Sequence, residues 1–173
     1  MIIEIIRIIL RFLVLMGIQV LVLNNIQLSG YINPFLYVMF ILMLPVRLPK
    51  TVLLLTAVVT GLVIDMFSNT MGLHAAASLF MGYLRPGWLR ILAPRDGYET
   101  DAVPSVKRYG FQWFLVYASV LILAHHFMLF YLEVFRFSEF FSTFLRVLLS
   151  SLVTLLLVML SQYLFTRPED RNK

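Results

Sequence analysis

Long apolar runs separated by short polar stretches dominate this chain of 173 residues. A helix needs about 20 predominantly apolar residues to cross a bilayer, and the runs have about that length. The pattern therefore predicts an all-α membrane protein that forms one domain over residues 1–173. We expect a six-helix transmembrane bundle, with helices over residues 4–23, 34–49, 51–67, 72–92, 110–132 and 142–165.

Basic residues collect in every second gap between the apolar runs. Of the 14 Lys and Arg, only Arg136 and Arg146 fall on the opposite side of the predicted bundle. Because Lys and Arg concentrate on the cytoplasmic side of membrane proteins, we expect both termini and a polar linker over residues 93–109 to be cytoplasmic. The residues predicted to anchor the cytoplasmic helix ends are Arg7, Arg11, Arg47, Lys50, Arg85 and Arg90.

Composition supports the membrane assignment and excludes several functions. Hydrophobic residues make up 61% of the chain and charged residues 13%, against about 45–50% and about 25% in soluble domains. The net charge of +5 does not indicate nucleic-acid binding, because the basic residues flank apolar runs and can contact lipid headgroups. The chain has no Cys, which excludes disulfides and thiolate chemistry.

Two of the predicted helices have unusual ends. Glu4, Arg7 and Arg11 share one face of the first helix, where they either anchor it at the membrane surface or meet a partner. The second run is short, and Pro45 and Pro49 end or kink it. The second and third helices are therefore predicted to form a tight hairpin.

Small residues recur at four-residue spacing in the third and fourth helices. This spacing lets two helix backbones approach closely, so these helices are predicted to pack together in the bundle centre. The pairs are Ala57 with Gly61, Gly72 with Ala76, and Ser78 with Gly82.

Few side chains could perform chemistry. Asp65 and His74 lie near predicted helix ends, where Asp65 either caps the following turn or contacts a partner. If it is a cap, we expect Asp65→Asn to be mild. His125 and His126 are adjacent, which is poor spacing for a shared metal ion. With no nucleotide-binding loop or hydrolase motif, the sequence predicts a non-enzymatic protein without metal or cofactor.

Residues 61–75 resemble the MreD family of bacterial rod-shape-determining membrane proteins. That family has a glycine four residues before an aspartate at the end of a central helix, then a short polar turn, then Gly-(Leu/Thr)-His-Ala or a relative. The Asn33-Pro34 opening and the chain length also fit, so the resemblance spans nearly the full chain. The matching residues in the motif are Gly61, Asp65, Gly72 and Ala75.

The resemblance implies an inner-membrane scaffold of the cell-wall elongation machinery. Such a scaffold binds the bitopic MreC protein, whose periplasmic part regulates the peptidoglycan synthase pair, and its cytoplasmic side lies near the MreB filament. The main alternative is a substrate-binding subunit of an energy-coupling-factor vitamin transporter, which shares size and helix number. That class usually presents an A-x-x-x-A face on its first helix, whereas Gly17 is the only small residue here.

Overall fold

The computed structural model describes residues 2–26, 31–99, 102–135 and 139–164, and these are predominantly helical. A 3-10 turn, Leu23–Asn25, follows the first helix. The α-helices are α1 (Ile2–Leu21), α2 (Val38–Leu42), α3 (Lys50–Ser68), α4 (Leu73–Ile91), α5 (Val106–Tyr109), α6 (Phe111–Val134) and α7 (Phe140–Leu164).

The long helices form a bundle around α4. Helices α3 and α4 are a hairpin, α4 packs on α6, α6 packs on α7, and α1 contacts both α2 and α3. We call the end that holds Arg47, Lys50 and Arg90 the basic end. The opposite end, which holds Asn24, Thr70 and the Glu133–Arg146 ion pair, is the polar end.

Four stretches of helix are long and apolar enough to cross a membrane: Glu4–Asn25, Lys50–Ser68, Phe111–Val134 and Phe140–Leu164. The membrane-type helical fold predicted from the sequence is therefore confirmed. Helix α4 is as long as α3 but more polar, because it includes His74, Ser78 and Arg85. All three side chains are buried, so neighbouring helices rather than lipid receive them.

Five of the six predicted helices are present, with ends within about two residues of the expected ones. The helix predicted over residues 34–49 is wrong. Only Val38–Leu42 is helical there, and five residues span about 7.5 Å, which is too short to cross a bilayer. Every residue of α2 is buried. We call residues 33–46 the central segment, because the other helices enclose it.

The predicted linker over residues 93–109 also differs from expectation, because it is docked on the basic end. It contains α5, and the Ala102 carbonyl accepts a hydrogen bond from the Val46 N–H at 2.8 Å. Burial raises the pKa of Tyr98 to about 12, so its hydroxyl remains protonated and donates to the Leu89 carbonyl at 2.7 Å. These contacts tie the linker to the central segment and to α4.

Candidate functional site

The Asp65 carboxylate joins the end of α3 to the start of α4. Its Oδ1 accepts hydrogen bonds from the His74 N–H at 3.0 Å and the Thr70 hydroxyl at 2.5 Å, and its Oδ2 accepts one from the Ala75 N–H at 2.9 Å. The first N–H groups of a helix lack intrahelical partners, and the helix dipole favours negative charge beside them. Asp65 therefore caps α4, which is one of the two roles that the sequence left open.

Gly61 lies directly against the backbone of α4. A Cβ atom on Gly61 would overlap the Ala75 Cα and the His74 carbonyl oxygen, and backbone atoms cannot turn aside. One helical turn earlier Ala57 is fully buried, and a Cβ on Gly82 would lie 3.0 Å from the Ala57 Cβ. The small faces of α3 and α4 therefore meet, as the four-residue spacing predicted.

The turn between α3 and α4 requires two left-handed residues. Asn69 ends α3 with a φ of 52°, and Gly72 precedes α4 with a φ of 83°. A Cβ on Gly72 would meet nothing within 4 Å, and Ala76 is only half-buried. Gly72 therefore takes no part in the small face predicted for Gly72 and Ala76, and it serves the turn through its backbone conformation.

The central segment begins outside regular secondary structure, yet three of its N–H groups there have side-chain partners. Non-helical backbone at membrane depth is tolerated only where protein or water satisfies it. Here polar side chains of α1 and α7 accept hydrogen bonds from every second N–H group, three in all. The pairs are Asn33 N with Ser150 Oγ at 3.1 Å, Phe35 N with Thr154 Oγ1 at 3.0 Å, and Tyr37 N with Gln19 Oε1 at 3.3 Å.

Arg85 serves the carbonyl groups at the other end of α2. Its guanidinium donates to the Leu42 and Pro45 carbonyls at 3.4 Å, to the Leu44 carbonyl, and to the Tyr117 hydroxyl at 2.8 Å. The last carbonyls of a helix have negative partial charge, which a cation stabilises. Arg85 is only 1% exposed, so its predicted role as a surface anchor is wrong.

The other five predicted anchors differ in how far their side chains are exposed. Arg11 is half-buried and donates to the Met43 carbonyl at 3.0 Å, so it also holds the central segment. The remaining four side chains are exposed near the basic end or on the first turns of α1, as a surface position requires: Arg7, Arg47, Lys50 and Arg90.

Three buried polar rings meet where the central segment passes between α4 and α6. The Tyr37 hydroxyl lies 2.6 Å from His125 Nε2 and 3.1 Å from His74 Nδ1. The Phe35 ring stands edge-on to His74, with centroids 5.0 Å apart. Tyr37 therefore links α4 to α6 through the centre of the bundle.

His126 has a defined tautomer if it is neutral. Its Nδ1 lies 2.9 Å from the Ile122 carbonyl, which can only accept, so Nδ1 is protonated. Its Nε2 then accepts from the Thr154 hydroxyl at 3.1 Å, while the same oxygen accepts from the Phe35 N–H. His126 thus orients the threonine that holds the central segment. Among the described residues, no three His, Cys, Asp or Glu side chains are placed to hold a metal ion.

A cavity of about 400 Å³ opens at the polar end, above these rings. Cavities of roughly 300–1,000 Å³ are typical of small-molecule sites. The polar side chains that line it include Gln19, Asn24, Asn33, Ser68, Thr70, His74, Glu133 and Arg146.

Sequence reasoning missed the side chains that hold the central segment. Gln19 and Tyr117 lie inside apolar runs and resemble tolerated polar residues in a lipid-facing helix. The one available signal was the pair of prolines, Pro45 and Pro49, which made the second run too short for a regular span.

Comparison of the chain with protein-family models, curated proteins and solved structures found no match.

Proposed function

We propose that this chain is a non-enzymatic scaffold of the MreD kind, which works in the bacterial inner membrane within the cell-wall elongation complex. In this proposal both termini are cytoplasmic, and the basic end faces the cytoplasm. The protein binds an MreC-like bitopic partner and so supports rod-shape peptidoglycan synthesis. The described part of the chain gathers nine of its ten basic residues at or toward the basic end, which supports that orientation.

The observation that most supports the proposal is that the residues behind the family resemblance act together in one α3–α4 hairpin. Gly61 admits the backbone of α4, Asp65 caps that helix, and Gly72 provides the turn between them. The matching residues are therefore one structural unit. A shared pattern of this kind is more informative than the same residues scattered over a lipid-facing surface.

Helix α1 offers the surface for a single-span partner. Only 17% of the residues in the most apolar part of this candidate span are buried, against 33–44% in the other three candidate spans. A helix so weakly covered by its own bundle can receive another helix by side-chain packing. The exposed aliphatic residues on this face are Ile5, Ile6, Ile9, Leu10 and Leu13.

Site-specific photocrosslinking tests this assignment. A photoreactive residue at Leu10 of α1 should crosslink to the co-expressed MreC protein of the same bacterium. The same residue at Leu156 of α7 is the matched control, because the two leucines are 59% and 55% exposed. Equal crosslinking at both positions, or none at Leu10 in a complex that co-purifies, would contradict an α1 interface.

The cavity at the polar end favours a second candidate, a substrate-binding subunit of a vitamin transporter. Its volume suits a vitamin-sized ligand, and amide, hydroxyl and imidazole groups line it. Mass spectrometry of the organic extract of the purified protein distinguishes the two functions. A stoichiometric small molecule that raises the melting temperature supports the transporter, whereas co-purification of the bitopic protein without such a ligand supports the scaffold.

A further inference from the structure

A second groove lies at the basic end, between the start of α3 and the end of α4. It has a volume of about 280 Å³, and Leu53, Leu54 and Gly82 form its apolar inner part. Gly87 lies nearer its mouth, and a Cβ added there would meet nothing within 4 Å. The missing side chain at Gly87 therefore keeps the groove open.

Two basic side chains, those of Lys50 and Arg90, lie at the mouth of this groove. Lys50 is the first residue of α3, Arg90 lies in the last turn of α4, and both side chains are exposed. Neither side chain forms a hydrogen bond or ion pair within the described part of the chain. The groove thus has positive charge at its mouth and apolar walls inside, which matches a molecule with an anionic head and an apolar tail.

The dimensions of the groove fit a lipid tail and are too small for a protein helix. Gly82 precedes Arg90 by eight residues, so the groove runs about 12 Å along α4. A helix with side chains has a diameter of about 10–12 Å, and a segment of that length would need several times the volume available. A single acyl chain is much narrower and fits.

We propose that this groove binds one anionic phospholipid. The phosphate lies between Lys50 and Arg90, and one acyl chain passes Gly87 toward Gly82. Anionic lipids attract basic residues at the membrane surface, so the leaflet at the basic end supplies the ligand. The site goes beyond the proposed scaffold role and does not depend on it, because lipid retention is measured on the isolated chain.

Native mass spectrometry of the full chain, purified in neutral detergent and stripped of lipid, tests the site. Phosphatidylglycerol should be retained at one molecule per chain, and phosphatidylcholine much less. One basic residue near an anionic surface is worth about a fivefold change in binding, so Lys50→Gln with Arg90→Gln should weaken phosphatidylglycerol binding by about thirtyfold. Gly87→Leu, which fills the groove, should abolish most retention.

Matched variants separate the site from general effects. Gly17→Leu also adds a side chain where nothing lies within 4 Å, but on α1, and should leave retention unchanged. Arg95→Gln removes an exposed charge outside the groove and should also have no effect. Rising salt should release the lipid from the unmodified chain, which gives a readout that does not depend on how the variants fold.

Three results would overturn the proposal. Equal retention of the two lipids would remove the role of headgroup charge. Unchanged retention in Gly87→Leu would remove the groove and leave only surface charge. Displacement by millimolar inorganic phosphate would show that the cations bind free phosphate rather than a lipid.

Discussion

The bidentate cap at Asp65 leads to a prediction that reverses the expectation from sequence. A neutral Asn has one acceptor oxygen, but the carboxylate uses both of its oxygens, one for the His74 N–H and the other for the Ala75 N–H. Whichever way the Asn side chain turns, its NH₂ group faces one of these two backbone donors. Asp65→Asn should therefore not be mild.

The magnitude follows from the number of donors left without a partner. A buried group that loses its partner costs about 1–3 kcal/mol. Asp65→Asn orphans one amide and should lower the free energy of unfolding by about 1–3 kcal/mol. Asp65→Ala orphans both and should lower it by about 2–6 kcal/mol, because only the Thr70 hydroxyl can rotate to another acceptor.

Unfolding curves in mixed detergent micelles, with increasing denaturing detergent, measure both variants. Asp96→Asn is the matched control, because Asp96 lies exposed in the linker and should unfold like the unmodified chain. An Asp65→Asn protein with the midpoint of the unmodified chain would refute the bidentate cap. If that stable variant also failed to bind the partner, Asp65 would be an interface residue instead.

Three further predictions test the packing, the buried cation and the orientation. Gly61→Ala should destabilise the chain by about 1–3 kcal/mol in the same unfolding assay, because its methyl group meets backbone, whereas Gly17→Ala should not. Arg85→Gln should cost about 3 kcal/mol or more, since several buried carbonyls lose their donor, and unchanged stability would show that water replaces it. In intact spheroplasts, a single cysteine at Asn25 should react with an impermeant thiol reagent and one at Asp96 should not; labelling only at Asp96 would invert the proposed orientation.

Local features of the fold could be predicted from sequence, and features that depend on distant contacts could not. The α3–α4 hairpin is local: the spacing of Gly61, Asp65 and Gly72 within twelve residues determines the close approach, the cap and the turn. Helix lengths also follow from the apolar runs, because lipid and a protein core both select apolar side chains. For the same reason the central segment looks like a membrane-spanning helix in sequence, since burial within protein and exposure to lipid select the same apolar residues.

Arg85 illustrates the second limit. Its position near the end of α4 is typical of a side chain that reaches the membrane surface. Its burial depends on carbonyl groups at the end of α2, about 40 residues earlier in the chain, which accept hydrogen bonds from its guanidinium. No local pattern in the sequence indicates that pairing, because the partners are backbone atoms and carry no sequence signature.

The enclosure of the central segment has a consequence for the order in which the protein is made. Ser150 and Thr154, which accept the Asn33 and Phe35 N–H groups, belong to α7, the last described helix to leave the ribosome. Unsatisfied N–H groups cost several kcal/mol each in hydrocarbon, so the segment cannot settle at membrane depth while α7 is still missing. It must wait at the surface or within a water-accessible gap until synthesis is nearly complete. Docking of the start of the central segment therefore finishes last, and a nascent chain that stops before α7 lacks the two acceptors that this segment needs.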